Sequence, residues 1–297
     1  MLPSHKGSIH LFRFLGINVF LHWSWFLVAV IQVSYRAHLY SSYIWCVFEY
    51  VALFAIVLMH EFGHSLACRS VGGRADQIVL WPLGGVAFVD PPQRPGATLW
   101  SLAAGPLVNA LLIPVLSIGV WFAHRLDFPS TMPNLNQFLA TLWIINIALL
   151  LFNLLPIYPL DGGQILRSLL WFLVGRARSL MIASTIGMIT VVALLLFAIR
   201  TPWLGILGAF ALIQCWSGLQ QARLLARVEA APRRAGLACP GCHQAPPGGD
   251  FWICGHCRRA FDMFATQGTC PSCGAVFNGA RCLECGNVYP FHAFFQS

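Results

Sequence analysis

The sequence predicts an α-helical polytopic membrane protein with about six transmembrane helices. It also predicts a small hairpin-like insertion and a compact cysteine-rich appendage. Three observations carry that prediction. The chain of 297 residues is 58% apolar and only 9% charged, whereas soluble domains carry about 25% charged residues. Apolar stretches close to membrane-spanning length recur through the first 222 residues. Eight of the 11 cysteines fall in the last 59 residues. This composition excludes intrinsic disorder and collagen, and it makes a basic nucleic-acid-binding domain a poor fit. Three parts follow: an apolar domain over 1–222, a basic, Ala-rich linker over 223–235 and a cysteine-rich domain over 236–297.

A membrane helix needs about 20 mostly apolar residues. The first expected span is 19–34, which is short unless 14–18 partly join it. The second is 42–67, and it carries Glu49, His60, Glu61 and His64. The third is 99–122. The fourth is 138–155, interrupted by Pro156 and Pro159 and resuming at 164–174. The fifth is 180–199 and the sixth 204–219. With six spans, 15 of the 18 basic residues lie on the side of the two termini, against Arg36, Arg125 and Arg200 on the other. Cytoplasmic loops carry the positive excess, so both termini are expected in the cytoplasm of a multi-pass cell-membrane protein. The first 30 residues lack a convincing signal-peptide cleavage site.

Residues 77–89, QIVLWPLGGVAFV, are apolar but split by Pro82, Gly84 and Gly85. Two short strands around a turn are expected there, dipping toward the bilayer. Their backbone must be paired or shielded from lipid.

Ionisable side chains at membrane depth are costly and mark function. Residues 60–64 read HEFGH, an HExxH pattern. On a helix, His60 and His64 lie one turn apart on one face. Both can offer an imidazole nitrogen to a single zinc ion, with Glu61 beside them as general base. A catalytic zinc commonly takes a third protein ligand. The candidate is Asp161, in the run NLLPIYPLDGG over 153–163. Two prolines interrupt the helix and two glycines free the backbone, so a carboxylate can be aimed into the bundle. Asp161 could also serve as N-cap of the following helix. Glu49 lies 11 residues before His60, about 16 Å along a helix, too far to ligate. A structural role suits it better. Asn109, mid-span, needs hydrogen-bond partners, from helix packing or from a site nearby. Cys46, Cys68 and Cys215 read as small packing residues.

HEFGH at 60–64, PLGG at 82–85, AGPLVN at 104–109 and NLLPIYPLDGG at 153–163 resemble the motifs of the site-2 protease family of intramembrane zinc metalloproteases (peptidase M50-like). The resemblance covers roughly residues 10–220. It implies that His60, His64 and Asp161 bind a catalytic Zn2+ and that Glu61 is the general base. It also implies that Asn153 lies near the active site and that Asn109 belongs to the GPxxN segment. A membrane-embedded protein substrate is implied, often one already cut by another protease.

The appendage contains four CxxC pairs: Cys239/Cys242, Cys254/Cys257, Cys270/Cys273 and Cys282/Cys285. Two four-cysteine sites, each holding a structural Zn2+, account for all eight thiolates and define a double zinc ribbon. Sequential pairing, the first two pairs together and the last two together, closes the most compact loops. An interleaved pairing of first with third and second with fourth is the alternative. Iron could also occupy such thiolates, and His256 could compete as a ligand. A cytoplasmic location disfavours disulfides. After Cys239 the only basic side chains are Arg258, Arg259 and Arg281. That is too few for a nucleic-acid backbone, so a cytoplasmic protein partner fits better.

The leading function is therefore an intramembrane zinc endopeptidase embedded in the lipid bilayer. A catalytically silent scaffold that recruits partners through the tail is the alternative. A metal transporter comes third, because transport does not require a general base at Glu61.

Overall fold

The computed structural model describes residues 7–81, 84–197 and 202–295. They form two compact units, Met1–Val174 with Ile182–Trp216, and Gly175–Met181 with Ser217–Ser297.

The first unit opens with a hairpin, β1 (Ser8–Phe14) and β2 (Ile17–His22), turning at Leu15 and Gly16. Helix α1 (Ser24–Arg36) follows, then α2 (Tyr43–Ser70) and a second hairpin, β3 (Arg74–Trp81) and β4 (Gly84–Asp90). The expected hairpin over 77–89 is therefore present, although its tip at Pro82 and Leu83 lies outside the described residues. It is half of a larger sheet in the order β1-β2-β3-β4. The middle pair is parallel, running from Asn18 opposite Gln77 to Leu21 opposite Leu80. Parallel neighbours need a crossover, and α1 with α2 supplies it. Helix α1 leads away from the sheet and α2 returns to it.

This crossover corrects the first expected span. Its opening residues belong to β2, where Ile17 and Val19 are buried with Ile78, Leu80, Trp25 and Val57. A short apolar run does not distinguish a buried strand from a helix. The remaining helix, α1, has 13 residues, about 20 Å, against a hydrocarbon core of about 30 Å. It is clasped to α2. The Tyr50 hydroxyl donates to the Trp25 carbonyl at 2.8 Å. The Glu49 carboxylate lies 2.8 Å from Arg36 Nε and accepts from Arg36 Nη2 at 3.0 Å and the Tyr40 hydroxyl at 2.6 Å. Glu49 is thus a buried clamp between helices, in keeping with a structural role.

The chain continues through α3 (Pro95–Arg125), the short α4 (Phe128–Thr131), α5 (Pro133–Asn153), α6 (Asp161–Val174), α7 (Arg176–Phe197) and α8 (Pro202–Ala230). Among the described residues four helices are long and apolar enough to cross a membrane: α2, α3, α5 and α7. The expected count of six is corrected accordingly. The sixth expected stretch is the start of α8, where the apolar run gives way to Gln220, Gln221 and Arg223. Leu111, Val115, Ile118, Ile144 and Leu151 are exposed on α3 and α5, as side chains facing lipid are. The protein is a multi-pass integral membrane protein with small β elements and a cysteine-rich tail.

In the second unit, α8 runs to Ala230, so much of the expected connector is helical. Two small hairpins follow, β5 (Trp252–Ile253) with β6 (Ala260–Phe261), and β7 (Gly279–Arg281) with β8 (Val288–Pro290). Trp252, Phe261, Met263, Phe264 and Phe294 form their shared core. The Ala238 amide donates to the Phe294 carbonyl at 3.0 Å, bringing the end of the tail back to its beginning. Burial would raise the Asp262 carboxyl, but the amides of Ala265 and Gly249 and the Arg234 guanidinium hold it below the usual carboxylate range.

Candidate metal centre

The HExxH segment lies within α2, and both histidines are buried with Glu61 between them in sequence. Asp161 begins α6. The preceding loop folds back so tightly that a Cβ on Gly162 would lie 2.3 Å from the Leu154 carbonyl oxygen, and one on Gly163 2.5 Å from the Ile157 carbonyl carbon. The paired glycines therefore permit the close turn that delivers Asp161. The Cys215 thiol donates to the Tyr158 carbonyl at 3.0 Å and ties this loop to α8. The cysteine is more than filler.

His60, His64 and Asp161 come together as a group that could hold a metal ion. His60 Nε2 is 3.0 Å from Asp161 Oδ2 and 3.1 Å from His64 Nε2, and His64 Nε2 is 3.3 Å from Asp161 Oδ2. A tetrahedral zinc with ligands at its usual bond lengths spaces neighbouring ligand atoms about 3.3 Å apart. The donor set and the spacing both fit. Each imidazole is held from its other nitrogen. His60 Nδ1 lies 2.6 Å from Asn109 Oδ1, and His64 Nδ1 lies 2.8 Å from the Ser101 carbonyl. Both partners can accept from Nδ1, an arrangement that leaves each Nε2 to serve as ligand, and the two Nε2 atoms face the same point.

Helix α3 makes this possible by coming very close. A Cβ on Gly63 would lie 2.7 Å from the Ala104 carbonyl oxygen, and one on Gly105 would lie 2.3 Å from His64 Nε2. Small residues let membrane helices approach backbone to backbone. Asn153 closes α5, half-buried, and its side chain makes no hydrogen bond among the described residues. Asn146 and Ser101 were not identified from the sequence. Asn146 lies two turns before Asn153 in the otherwise apolar stretch 142–152 of α5, and that polar intrusion was its signal. Ser101 acts here through its backbone carbonyl, which no side-chain pattern reveals.

In the tail the eight cysteines form two groups, Cys239/Cys242/Cys282/Cys285 and Cys254/Cys257/Cys270/Cys273. Closest sulfur pairs lie 3.6–3.7 Å apart, against about 3.8 Å between sulfurs around a tetrahedral zinc. Each group could hold a structural zinc. The pairing is nested, first with last and second with third. This corrects both the sequential expectation and the interleaved alternative. The four knuckles are nearly equivalent locally. Each places the residue after its second cysteine at positive φ: His243, Arg258, Gly274 and Gly286. Local sequence therefore cannot choose partners, and the return of Phe294 to Ala238 does. Replacing Cys242 and Cys282 together by serine should remove one zinc per chain under nested pairing. Loss of two zinc ions, read by native mass spectrometry, would indicate one of the other pairings.

A bilayer-spanning helical fold with a buried His–His–Asp centre beside a glutamate defines a membrane metallopeptidase type of site. The Peptidase family M50 profile matches residues 48–126 and 124–197, and the chain belongs to that family. It is 36% identical over 196 residues to a zinc metalloprotease of Methanocaldococcus jannaschii, covering 65% of this chain and 54% of that protein. It is 31% identical over 193 residues to a putative zinc metalloprotease of Synechocystis, covering 61% and 49%. The solved site-2 protease of M. jannaschii superposes with a TM-score of 0.50 at 29% identity, covering 71% of this chain and 95% of that one. The chain spans about half the length of the curated relatives it matches.

Proposed function

We propose that the protein is an intramembrane zinc endopeptidase that hydrolyses peptide bonds of membrane-embedded protein substrates. The observation that carries this reading is the convergence of His60 Nε2, His64 Nε2 and Asp161 Oδ2 within 3.3 Å of one another on helices buried in an apolar bundle. Zinc held there would supply Lewis acidity, polarising the scissile carbonyl and acidifying a water molecule. Glu61 takes the proton from the attacking water and returns it to the leaving amine. Asn153, with its amide uncommitted, donates to the developing oxyanion. Cleavage of a synthetic transmembrane peptide by purified wild type, beside Glu61→Gln, tests the reading.

The substrate helix must unwind before its carbonyl can be attacked. Strand β4 is an edge of the sheet, with β3 on its inner side, and extended chains add to such edges. Proline at β4 positions whose N–H points to the free edge should impair peptide cleavage several-fold more than zinc binding. Equal loss of both, measured by peptide assay and metal titration, would rule out strand addition.

The metalloprotease domain is assigned to 1–222, the connector to 223–235 and the double ribbon to 236–297, where the tail engages a cytoplasmic protein partner. Both termini are assigned to the cytoplasm. This assignment rests on the excess of basic residues on the side of the termini, counted over the six expected spans.

A further inference from the structure

We propose that Asn146 is a positioning residue of the metal centre, selecting the His60 tautomer through Asn109. The inference rests on the zinc peptidase reading. His60 can ligate only if its proton is on Nδ1 and its lone pair on Nε2. That state needs an acceptor opposite Nδ1. Asn109 is an amide, and it could present its oxygen or its NH2 group there. The wrong face would put a donor against Nδ1, favour a proton on Nε2 and point that proton at the metal position.

The structure removes the choice. Asn109 Nδ2 donates to Asn146 Oδ1 at 2.8 Å. Asn146 has the same ambiguity, but its own Nδ2 donates to the Asn109 main-chain carbonyl at 2.9 Å. A carbonyl can only accept. Starting from that oxygen, Asn146 must present NH2 to it and therefore oxygen to Asn109. Asn109 must then present NH2 to Asn146 and oxygen to His60 Nδ1, 2.6 Å away. A flip of either amide, or of both together, sets two acceptor oxygens against each other. Asn109 and Asn146 are fully buried and His60 is 5% exposed, so no bulk water reaches the chain to satisfy a flipped amide. A backbone carbonyl of α3, read through α5, thus sets the ligand state of a histidine on α2.

The test measures metal rather than turnover. Asn146→Leu keeps the volume and removes the relay, and loss of an outer partner of a ligating histidine weakens metal binding about 10- to 100-fold. Zinc affinity by chelator competition and the ligand-field spectrum of the cobalt-loaded full chain are the readouts. The His64→Ala protein provides the signal of the tail sites alone. Asn146→Leu should bind zinc at the His60/His64/Asp161 group at least tenfold more weakly and shift the cobalt bands. Asn109→Asp presents oxygen whichever way it turns, so in that background Asn146→Leu should cost much less. A merely structural Asn146 would lower the unfolding temperature without this rescue. Should Asn146→Leu fail to fold, Asn146→Ser, which cannot make both bonds, takes its place with the same expectation. Wild-type affinity and spectrum in the variant would overturn the positioning role alone. A wild-type signal identical to that of His64→Ala would overturn the zinc peptidase reading and this inference with it.

Discussion

Glu61→Gln should retain its full complement of zinc and lose proteolysis. Glutamine matches glutamate in volume and can still accept a hydrogen bond, but it cannot take a proton at neutral pH. Glu61 is 6% exposed, so the substitution adds no bulk to a packed site and removes only the base. General-base catalysis is worth roughly 10²- to 10⁴-fold, and the fall in kcat/KM on a transmembrane peptide should lie in that range. His60, His64 and Asp161 are untouched, so bound metal should remain at one ion for each of the three groups. Full activity of the variant would end the assignment of Glu61. Metal flux without peptide cleavage in the wild type would favour transport instead.

Gly105→Ala should empty the metal centre without emptying the tail. The added Cβ would lie 2.3 Å from His64 Nε2 and 2.8 Å from His60 Nε2, the two atoms offered to the ion. Neither imidazole can retreat cheaply, because Asn109 and the Ser101 carbonyl hold their far sides. Overpacking of this kind costs about 1–3 kcal/mol of stability, which a helical bundle can survive. Metal content should fall from three ions per chain to two, with peptide cleavage lost. Alanine at 105 with three ions and wild-type activity would show that α3 does not approach α2 this closely.

Much of the candidate site was legible because charge is so scarce. In a chain with 9% charged residues, His60, Glu61, His64 and Asp161 stand out within apolar spans. Their residue types declare their chemistry before any fold is known. The roles of Asn109 and Asn146 were less legible, since an amide in a helix has several ordinary uses. The close approach at Gly105 was hidden for a different reason. A glycine becomes essential only through what faces it, and what faces it here is another helix.

The spans illustrate the same division. Residues 43–70 and 95–125 are long, apolar and interrupted by little, and they fold as the expected helices. Residues 19–21 are apolar too, yet they form part of a strand, because pairing with β3 satisfies their backbone away from water. Periodicity over so short a run carries no such information. In the tail, spacing identified eight ligands but could not pair four nearly equivalent knuckles.

The sequence by itself determined the membrane class, the ligand types and the presence of thiolate metal sites, because these depend on composition and on spacing within single elements. Only the tertiary structure decided which elements meet. It joined β2 to β3 and brought Asp161 to the two histidines. It oriented the Asn146–Asn109–His60 relay and nested the tail sites. Those outcomes depend on contacts between residues far apart in the chain, where close packing and hydrogen-bond satisfaction, rather than local propensity, select the partner.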